Sequence, residues 1–168
     1  MYSSYWKEWS PEKDARTCKV CGRLGGKIYS ADEPVHPSPP IHPNCRCVIE
    51  TLKAIEAGKA TIDGPDGADW HLKNNGRLPD YYVPYYVADN SGWKPKKANF
   101  AEVFPNKMLF GGIYKNKNGH LPEAPGRIWY EADINYRGGY RRTDRILYSN
   151  DGLIFVTYDH YHTFCEIK

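Results

Sequence analysis

The strongest constraint on the fold of this chain is a series of short apolar segments in its last quarter. Four segments are rich in β-branched and aromatic residues: 127–134, 145–149, 152–158 and 162–167. Turn-forming residues separate them, namely Gly138 and Gly139 and then the Asn-Asp-Gly run at 150–152, and such residues favour tight reversals between strands. The pattern predicts an antiparallel sheet in which each strand pairs with the next one along the chain.

Helical patterns precede these strands. Residues 66–75 predict a short helix that ends at Gly76, and residues 83–91 predict a second helix. Helices followed by a strand meander are typical of α+β proteins in which the helices pack on one face of the sheet. We therefore expect an α+β fold for residues 55–168, with N-terminal helices packed on an antiparallel β-sheet meander.

Residues 1–54 differ in composition from the rest of the chain. They contain four of the five cysteines, and five prolines lie between residues 34 and 43. Few apolar residues recur there at helical or strand spacing, so this segment needs a cross-link or a metal ion to hold it together. We expect a small Cys-rich module at 1–54, joined to the second domain through a helix-compatible run at 51–59.

The cysteines of this segment form two close pairs. Two residues separate Cys18 from Cys21, and one residue separates Cys45 from Cys47. Four thiolates in two such pairs match a closed tetrahedral structural zinc site, and His36 and His42 lie nearby in the sequence as possible substitutes. Two disulfides or four free thiols are the alternatives that the sequence leaves open. A Cys-x-Cys pair is an awkward component of a disulfide framework, which favours zinc.

Length and charge exclude several classes of protein. The chain has 168 residues, enough for one domain or for one compact domain with a small module, and its formal net charge is only +3. That charge is too small for a protein that coats nucleic acid by electrostatics alone. The longest aliphatic run, at 153–156, is too short to cross a membrane, and the N-terminal residues show no secretory signal. The cellular location stays open, with a non-classical or phage-linked export route as one option.

The predicted sheet carries a set of residues that suits RNA chemistry. Glu131, Arg141, Arg145 and His160 lie on or beside consecutive predicted strands, and neighbouring strands are only about 4.8 Å apart. Metal-free RNA cleavage needs a base for the ribose 2′-hydroxyl, an acid for the leaving oxygen and fixed cations for the phosphorane charge. By pattern alone, however, a Glu and two Arg on a sheet are more often a solvated ion-pair network, and a single histidine is usually structural.

A family resemblance strengthens the catalytic interpretation. The runs at 126–136, 144–149 and 159–164, with Leu78-Pro79-Asp80 and Gly92-Trp93 upstream, make residues 61–168 resemble the barnase-like bacterial ribonucleases. The resemblance implies that Glu131 is the general base and His160 the general acid, while Arg141 and Arg145 hold the scissile phosphate. It further implies the following substrate-binding residues: Tyr114, Asn116, Lys117 and Asn118 in a guanine-reading loop, Tyr140 beside the base pocket, and Tyr161 lining the site.

The chain departs from this family at several positions. Tyr85 stands where the family has a lysine that assists the transition state, and Lys117 replaces an arginine of the guanine loop. Asn118 replaces the acidic residue of that loop, and Gly112 replaces an aspartate at its entrance. The base, the acid and the two arginines are kept, so the resemblance implies RNA cleavage with a weakened guanine preference.

A second resemblance concerns the Cys-rich segment. The residues Pro-Pro-Ile-His-Pro-Asn-Cys-Arg-Cys at 39–47, together with Asp14-x-Arg16-Thr17-Cys18-x-x-Cys21, resemble the C-terminal tail of phage head-morphogenesis (minor capsid) proteins. Because the large body of those proteins is absent, this similarity implies either a tail carried over by fusion or a truncated gene.

Together these observations predict a metal-independent endoribonuclease that produces a 2′,3′-cyclic phosphate. We expect it to be a monomeric toxin domain with RNA as substrate, no catalytic cofactor, and a structural zinc as the one metal. The ribonuclease resemblance also implies a cognate acidic inhibitor. The alternatives are a structural remnant of a minor capsid protein and a nucleic-acid-binding module that does not cut.

Overall fold

A single nine-stranded sheet organises the whole molecule in the computed structural model, which describes residues 1–168. The strands are numbered along the chain: β1 Tyr2–Ser10, β2 Ile28–Ser30, β3 Val48–Ile55, β4 Tyr82–Pro84, β5 Met108–Tyr114, β6 Trp129–Asp133, β7 Arg145–Ser149, β8 Ile154–Thr157 and β9 Cys165–Ile167. Their order across the sheet is β2-β1-β3-β9-β8-β7-β6-β5-β4. The α-helices are α1 Lys19–Leu24, α2 Ala68–Asn75, α3 Tyr85–Asp89 and α4 Phe100–Val103. No helix has the length and apolar character that crossing a membrane requires.

The expected α+β fold, with N-terminal helices packed on an antiparallel meander and a small Cys-rich zinc-like module in front of it, is wrong. The sheet is mixed, because β3 pairs with β9 and β4 with β5 in parallel, and the molecule is mostly β. Its four helices contain only 4 to 8 residues each. Prolines at 84, 95 and 105 limit α3 and α4, because a helix interior excludes proline. Residues 1–54 contribute three strands to the same sheet.

The expected domain boundary at residue 54 falls inside β3. The run at 51–59, which favours a helix by composition, is in strand conformation as far as Ile55, and Leu52 and Ala54 are buried while Thr51 and Lys53 are exposed. This alternation fits a strand that has one face on a core. Pairing with β1 and β9 therefore overrides the local helix propensity.

The two faces of the sheet bury different cores. One face packs against Ala68 and Leu72 of α2, together with Ile146 and Val156. The opposite face carries Glu131 and Arg145 and buries a second cluster: Ile28, Leu52, Leu121, Trp129, Leu147, Phe155 and Phe164. The first two members of that cluster come from the Cys-rich segment, so this segment completes the core beside the candidate site. A third cluster, around Trp93 and Phe100, lies under α3 and α4.

Close contacts join the Cys-rich segment to two loops near the site. His120 accepts a backbone hydrogen bond from Ile28 at 2.8 Å, and its ring nitrogen Nε2 lies 3.0 Å from the carbonyl oxygen of Arg23 at the end of α1. Gly26 has a φ of +82°. A side chain there would place its Cβ 1.9 Å from the carbonyl oxygen of His162, so only glycine fits this contact.

Candidate active site

An open cleft of about 350 Å³ brings several of the predicted site residues together. Arg141, Arg145, His160 and Tyr140 all line it, and the indole of Trp93 forms part of its wall. The arginines come from the start of β7 and the turn before it, whereas His160 comes from the loop between β8 and β9. Because β7 and β8 are adjacent in the sheet, these loops meet at the same end.

A buried carboxylate holds Arg141 by two hydrogen bonds and forms an ion pair with Arg145. Arg141 donates from Nε and Nη2 to the two oxygens of Asp133 at 2.6 and 2.7 Å, and Arg145 Nε lies 3.1 Å from one of them. The Nη1 of Arg145 donates to the carbonyl oxygens of Arg142 and Asp144, both at 2.8 Å. The side chain of Asp133 is only 5% exposed. Burial alone would lower the pKa of Arg141, but the bond to Asp133 outweighs burial and the pKa is raised. Two fixed cations facing one carboxylate leave net positive charge for an anion.

Sequence reasoning missed the role of Asp133. The sequence offered one indication of it. Asp133 lies two residues after Glu131 on β6, and residues two apart on a strand point to the same face of the sheet. Register places Asp133 opposite Arg145 on β7. An aspartate at the end of a strand segment does not by itself indicate an ion pair with two arginines.

The predicted base is held by a tyrosine. The hydroxyl of Tyr161 donates to Oε2 of Glu131, and the Tyr161 ring stacks on Tyr114 with centroids 5.0 Å apart. Burial is the main cause that raises the pKa of Tyr161, and the bond to Glu131 adds to it. Tyr161 therefore stays protonated and acts as a donor. Gly111 on β5 leaves the space for Glu131, because a Cβ there would lie 2.9 Å from its Cγ.

The loop that carries His160 is held in an unusual conformation. His160 and Tyr161 have positive φ angles of 58° and 70°, a conformation that costs energy in residues other than glycine. Asp159 holds the loop by accepting hydrogen bonds from the hydroxyls of Thr157 and Thr163, at 3.0 and 2.6 Å, and from two backbone N–H groups. Burial would raise the pKa of Asp159, but these hydrogen bonds outweigh it and the pKa lies below its ordinary value.

The predicted base-reading loop follows β5, and its asparagines hold it in shape. Asn116 is buried, and its amide bonds the backbone of Leu121 at 2.9 and 3.1 Å. Asn118 accepts from the N–H of His120 and donates to the carbonyl of Tyr161, which links this loop to the His160 loop. Lys117 is exposed. The structure thus places Asn116 inside the loop and Lys117 on its surface.

Tyr85, which the sequence comparison predicts in place of an assisting lysine, packs against Trp93. Its ring lies edge-on to Trp93, with centroids 5.4 Å apart. A tyrosine in this position packs against the wall of the cleft and adds no positive charge to it.

The predicted metal ligands gather at the start of α1. Cys18, Cys21 and His42 lie within 4.8 Å of one another, and so do Cys21, Cys45 and Cys47. Backbone N–H groups, above all that of Cys47, lower the pKa of Cys45 to about 7, and the N–H of Cys21 lowers that of Cys18. The donor set of soft thiolates and an imidazole fits zinc.

Two guanidiniums fixed beside an imidazole, with a tyrosine-bound carboxylate on the same face of the sheet, define a site for a phosphate-bearing substrate. Comparison with known proteins gives the particular class. A family described as ribonuclease matches residues 66–168. Ribonucleases from Heyndrickxia coagulans and Bacillus intermedius are each 47% identical over 109 residues, which is 65% of this chain and 100% and 67% of those proteins. The chain therefore belongs to the ribonuclease family, a class of enzymes that cleave RNA.

A second comparison covers the Cys-rich segment. Residues 2–50 match a family described as phage Mu protein F like protein. The segment is therefore similar to a phage protein; its correspondence to the C-terminal tail of head-morphogenesis proteins stays a prediction.

Proposed function

We propose that this protein is an endoribonuclease that cleaves single-stranded RNA by attack of a ribose 2′-oxygen on the adjacent phosphorus. The observation that carries the proposal is the pair of arginines that Asp133 ion-pairs in the same cleft as His160. The ribonuclease family and the 47% identical relatives support it.

Glu131 and His160 act as base and acid in this proposal. Tyr161 occupies Oε2 of Glu131, which leaves Oε1 to accept the proton of the 2′-hydroxyl. The bond from O2′ to phosphorus forms as the bond from phosphorus to O5′ breaks, and the His160 imidazolium protonates the departing O5′. The product is a 2′,3′-cyclic phosphate, which water opens in a slower second step.

Arg141 and Arg145 stabilise the charge that develops on the phosphorane. Asp133 orients Arg141 through two hydrogen bonds, and the carbonyl oxygens of Arg142 and Asp144 orient Arg145, so the guanidiniums need little reorganisation during the reaction. These two groups supply the cationic charge, and the proposed chemistry therefore needs no metal ion or other cofactor.

Base preference depends on the loop at 114–119. We assign a guanine preference to it, with backbone N–H groups near Lys117 facing guanine O6 and Tyr140, which lines the cleft, beside the base. A carboxylate at position 118 would accept from both guanine N1–H and the exocyclic amine, whereas Asn118 is neutral and its carbonyl already accepts from His120. Replacing a charge-assisted bond by a neutral one costs roughly 1–2 kcal/mol, so the preference is weaker than in the family.

Cleavage of the dinucleotides GpN and ApN tests both parts of the proposal. The assay contains no added metal ion, and we expect a 2′,3′-cyclic phosphate as first product, with GpN cleaved faster. Asn118→Glu should raise the GpN to ApN rate ratio by about 5- to 30-fold, as a gain of 1–2 kcal/mol requires. RNA binding without any cleavage would favour the alternative of a non-cutting capsid remnant or binding module, and an unchanged ratio would reject the loop assignment.

The biological role that we propose is that of a toxin domain. A ribonuclease acting on the RNA of its own cell would be lethal, so a cognate acidic inhibitor that covers the arginine-lined cleft is part of this proposal. The match of residues 2–50 to phage Mu protein F like proteins favours a phage-linked route of delivery. The monomeric state stays a prediction.

A further inference from the structure

The candidate metal ligands of the Cys-rich segment form two overlapping groups of three, which share Cys21. Three contacts between donor atoms are short: Cys18 Sγ to His42 Nε2 and Cys21 Sγ to His42 Nε2, both 3.2 Å, and Cys21 Sγ to Cys45 Sγ, 3.8 Å. Zinc bonds of about 2.3 Å to sulfur and 2.0–2.1 Å to nitrogen place tetrahedral ligands about 3.8 Å apart for two sulfurs and about 3.6 Å apart for sulfur and nitrogen. The donor atoms of Cys18, Cys21 and His42 therefore lie within reach of one zinc ion, and Cys45 and Cys47, which group with Cys21, are the candidates for the fourth ligand.

The orientation of His42 is that of a metal ligand. Its Nδ1 lies 2.8 Å from the carbonyl oxygen of Pro43, so Nδ1–H donates there and the lone pair of Nε2 faces the two sulfurs. Histidines that bind metals almost always donate from the second ring nitrogen to a carbonyl or a carboxylate, which fixes the tautomer.

The two halves of the cluster have the same sequence spacing. Cys18 and Cys21 enclose two residues, and so do His42 and Cys45. Each half is a tight turn: the N–H of Cys21 donates to Cys18 Sγ at 3.4 Å, and the N–H of Cys45 donates to the carbonyl of His42 at 3.1 Å. Paired turns of this spacing are the usual framework of structural zinc sites.

An ion pair holds the two turns together. Arg46, next to Cys45, donates to both oxygens of Asp14 at 2.8 and 2.6 Å. Asp14 lies four residues before Cys18 and also accepts from the backbone N–H of Arg16 at 2.9 Å. This bidentate pair joins the residue after Cys45 to the residues that precede Cys18.

We propose that Cys18, Cys21, His42 and Cys45 bind one zinc ion in a tetrahedral Cys₃His site, and that Cys47 is not a ligand. The site stabilises α1 and the turn that follows it, the part of the segment that contacts His120 and His162. Its test does not depend on ribonuclease activity.

Metal content and cobalt substitution test the ligand set. Protein purified under reducing conditions should contain about one zinc per chain by elemental analysis, and Cys47→Ser should retain it. Cobalt in place of zinc gives a near-ultraviolet sulfur-to-metal band whose intensity rises with the number of thiolates. Cys47→Ser should leave this band unchanged, and Cys45→Ser should reduce it by about one third or lose the metal. Cys165→Ser, in β9, is the control for loss of a thiol elsewhere.

His42→Cys separates this set from a four-cysteine site without removing a ligand. If His42 binds the metal, the variant keeps one metal ion and its cobalt band gains the intensity of one more thiolate. An unchanged band in His42→Cys, or loss of the metal in Cys47→Ser, would overturn the proposed set. A metal-free protein whose four cysteines are paired by mass spectrometry would replace the zinc site with disulfides.

Discussion

At the scale of single residues, Asp133 organises the cationic side of the cleft. Its carboxylate hydrogen-bonds Arg141 and forms an ion pair with Arg145 at the place where β6 ends and β7 begins. Little of Asp133 or Arg145 reaches solvent there. A buried ion pair of this kind adds little net stability over an apolar pair, but loss of one partner leaves a buried charge without compensation. Asp133 is therefore a positioning residue, and its removal should lower the stability of the fold as well as disturb the site.

Asp133→Asn should lower the free energy of unfolding by about 3–5 kcal/mol, because two guanidiniums lose their only carboxylate. Urea denaturation measures this loss. Asp80→Asn is the matched control, since Asp80 pairs with Arg77 on the surface, where both side chains are more than 70% exposed, and such pairs contribute at most about 1 kcal/mol. Equal losses in the two variants would contradict the role given to Asp133.

The environment of Asp159 leads to a second prediction, which concerns the pH dependence of stability. Its pKa is lowered in the folded protein, so its contribution to stability is present above the pKa of an unfolded aspartate, about 3.9, and is lost as the pH falls through the folded pKa. Asp159→Asn should therefore be less stable than the wild type near pH 6 and differ little from it near pH 2. Urea denaturation across this range checks the prediction, and a difference that does not change with pH would reject it.

At the scale of secondary-structure elements, local sequence signals were sufficient to predict those elements whose conformation is determined by residues close in sequence. The helix predicted at 66–75 runs from Ala68 to Asn75 and ends at Gly76, which has a φ of +70°. The four predicted strand segments contain β6 to β9. Turn residues and β-branched runs fix these elements from within.

Elements that depend on distant partners were not predictable in the same way. The apolar residues of β1, at positions 2, 5, 6 and 9, do not alternate, because the register of this strand shifts between Tyr2 and Lys7. β5 contains two glycines, which weaken any strand signal, yet it pairs with β4 and β6. The site residues Glu131, Arg145 and His160 came from family resemblance, because pattern alone does not separate a catalytic set from a surface ion-pair network.

At the scale of the whole molecule, the Cys-rich segment and the ribonuclease part share a core. Leu52 of β3 is fully buried in the cluster that includes Trp129 and Phe155. The relative from Heyndrickxia coagulans is aligned over its whole length to 109 residues of this chain, so a ribonuclease of this family exists without such a segment. In this protein the added strands cover the apolar surface beside the site.

Leu52→Ala should lower the free energy of unfolding of the whole chain by about 2–5 kcal/mol. Thermal loss of ribonuclease activity and of β-sheet circular dichroism should shift together to lower temperature, because one core joins both parts. Val48→Ala in the same strand is the control, since Val48 is 48% exposed and should change stability by no more than about 0.5 kcal/mol. A separate early transition that leaves the activity transition in place would show two independent domains, divided near residue 54.

The assignment of base and acid is the centre of the functional account, and the pH dependence of kcat/KM for RNA cleavage tests it most directly. Glu131→Gln and His160→Gln should each reduce kcat/KM by about 10²–10⁴-fold, with the acidic limb of the profile lost in the first variant and the basic limb in the second. His162→Gln, an exposed histidine in the same loop, should retain the wild-type rate and profile. Near-normal cleavage by Glu131→Gln and His160→Gln, with both limbs kept, would contradict the account.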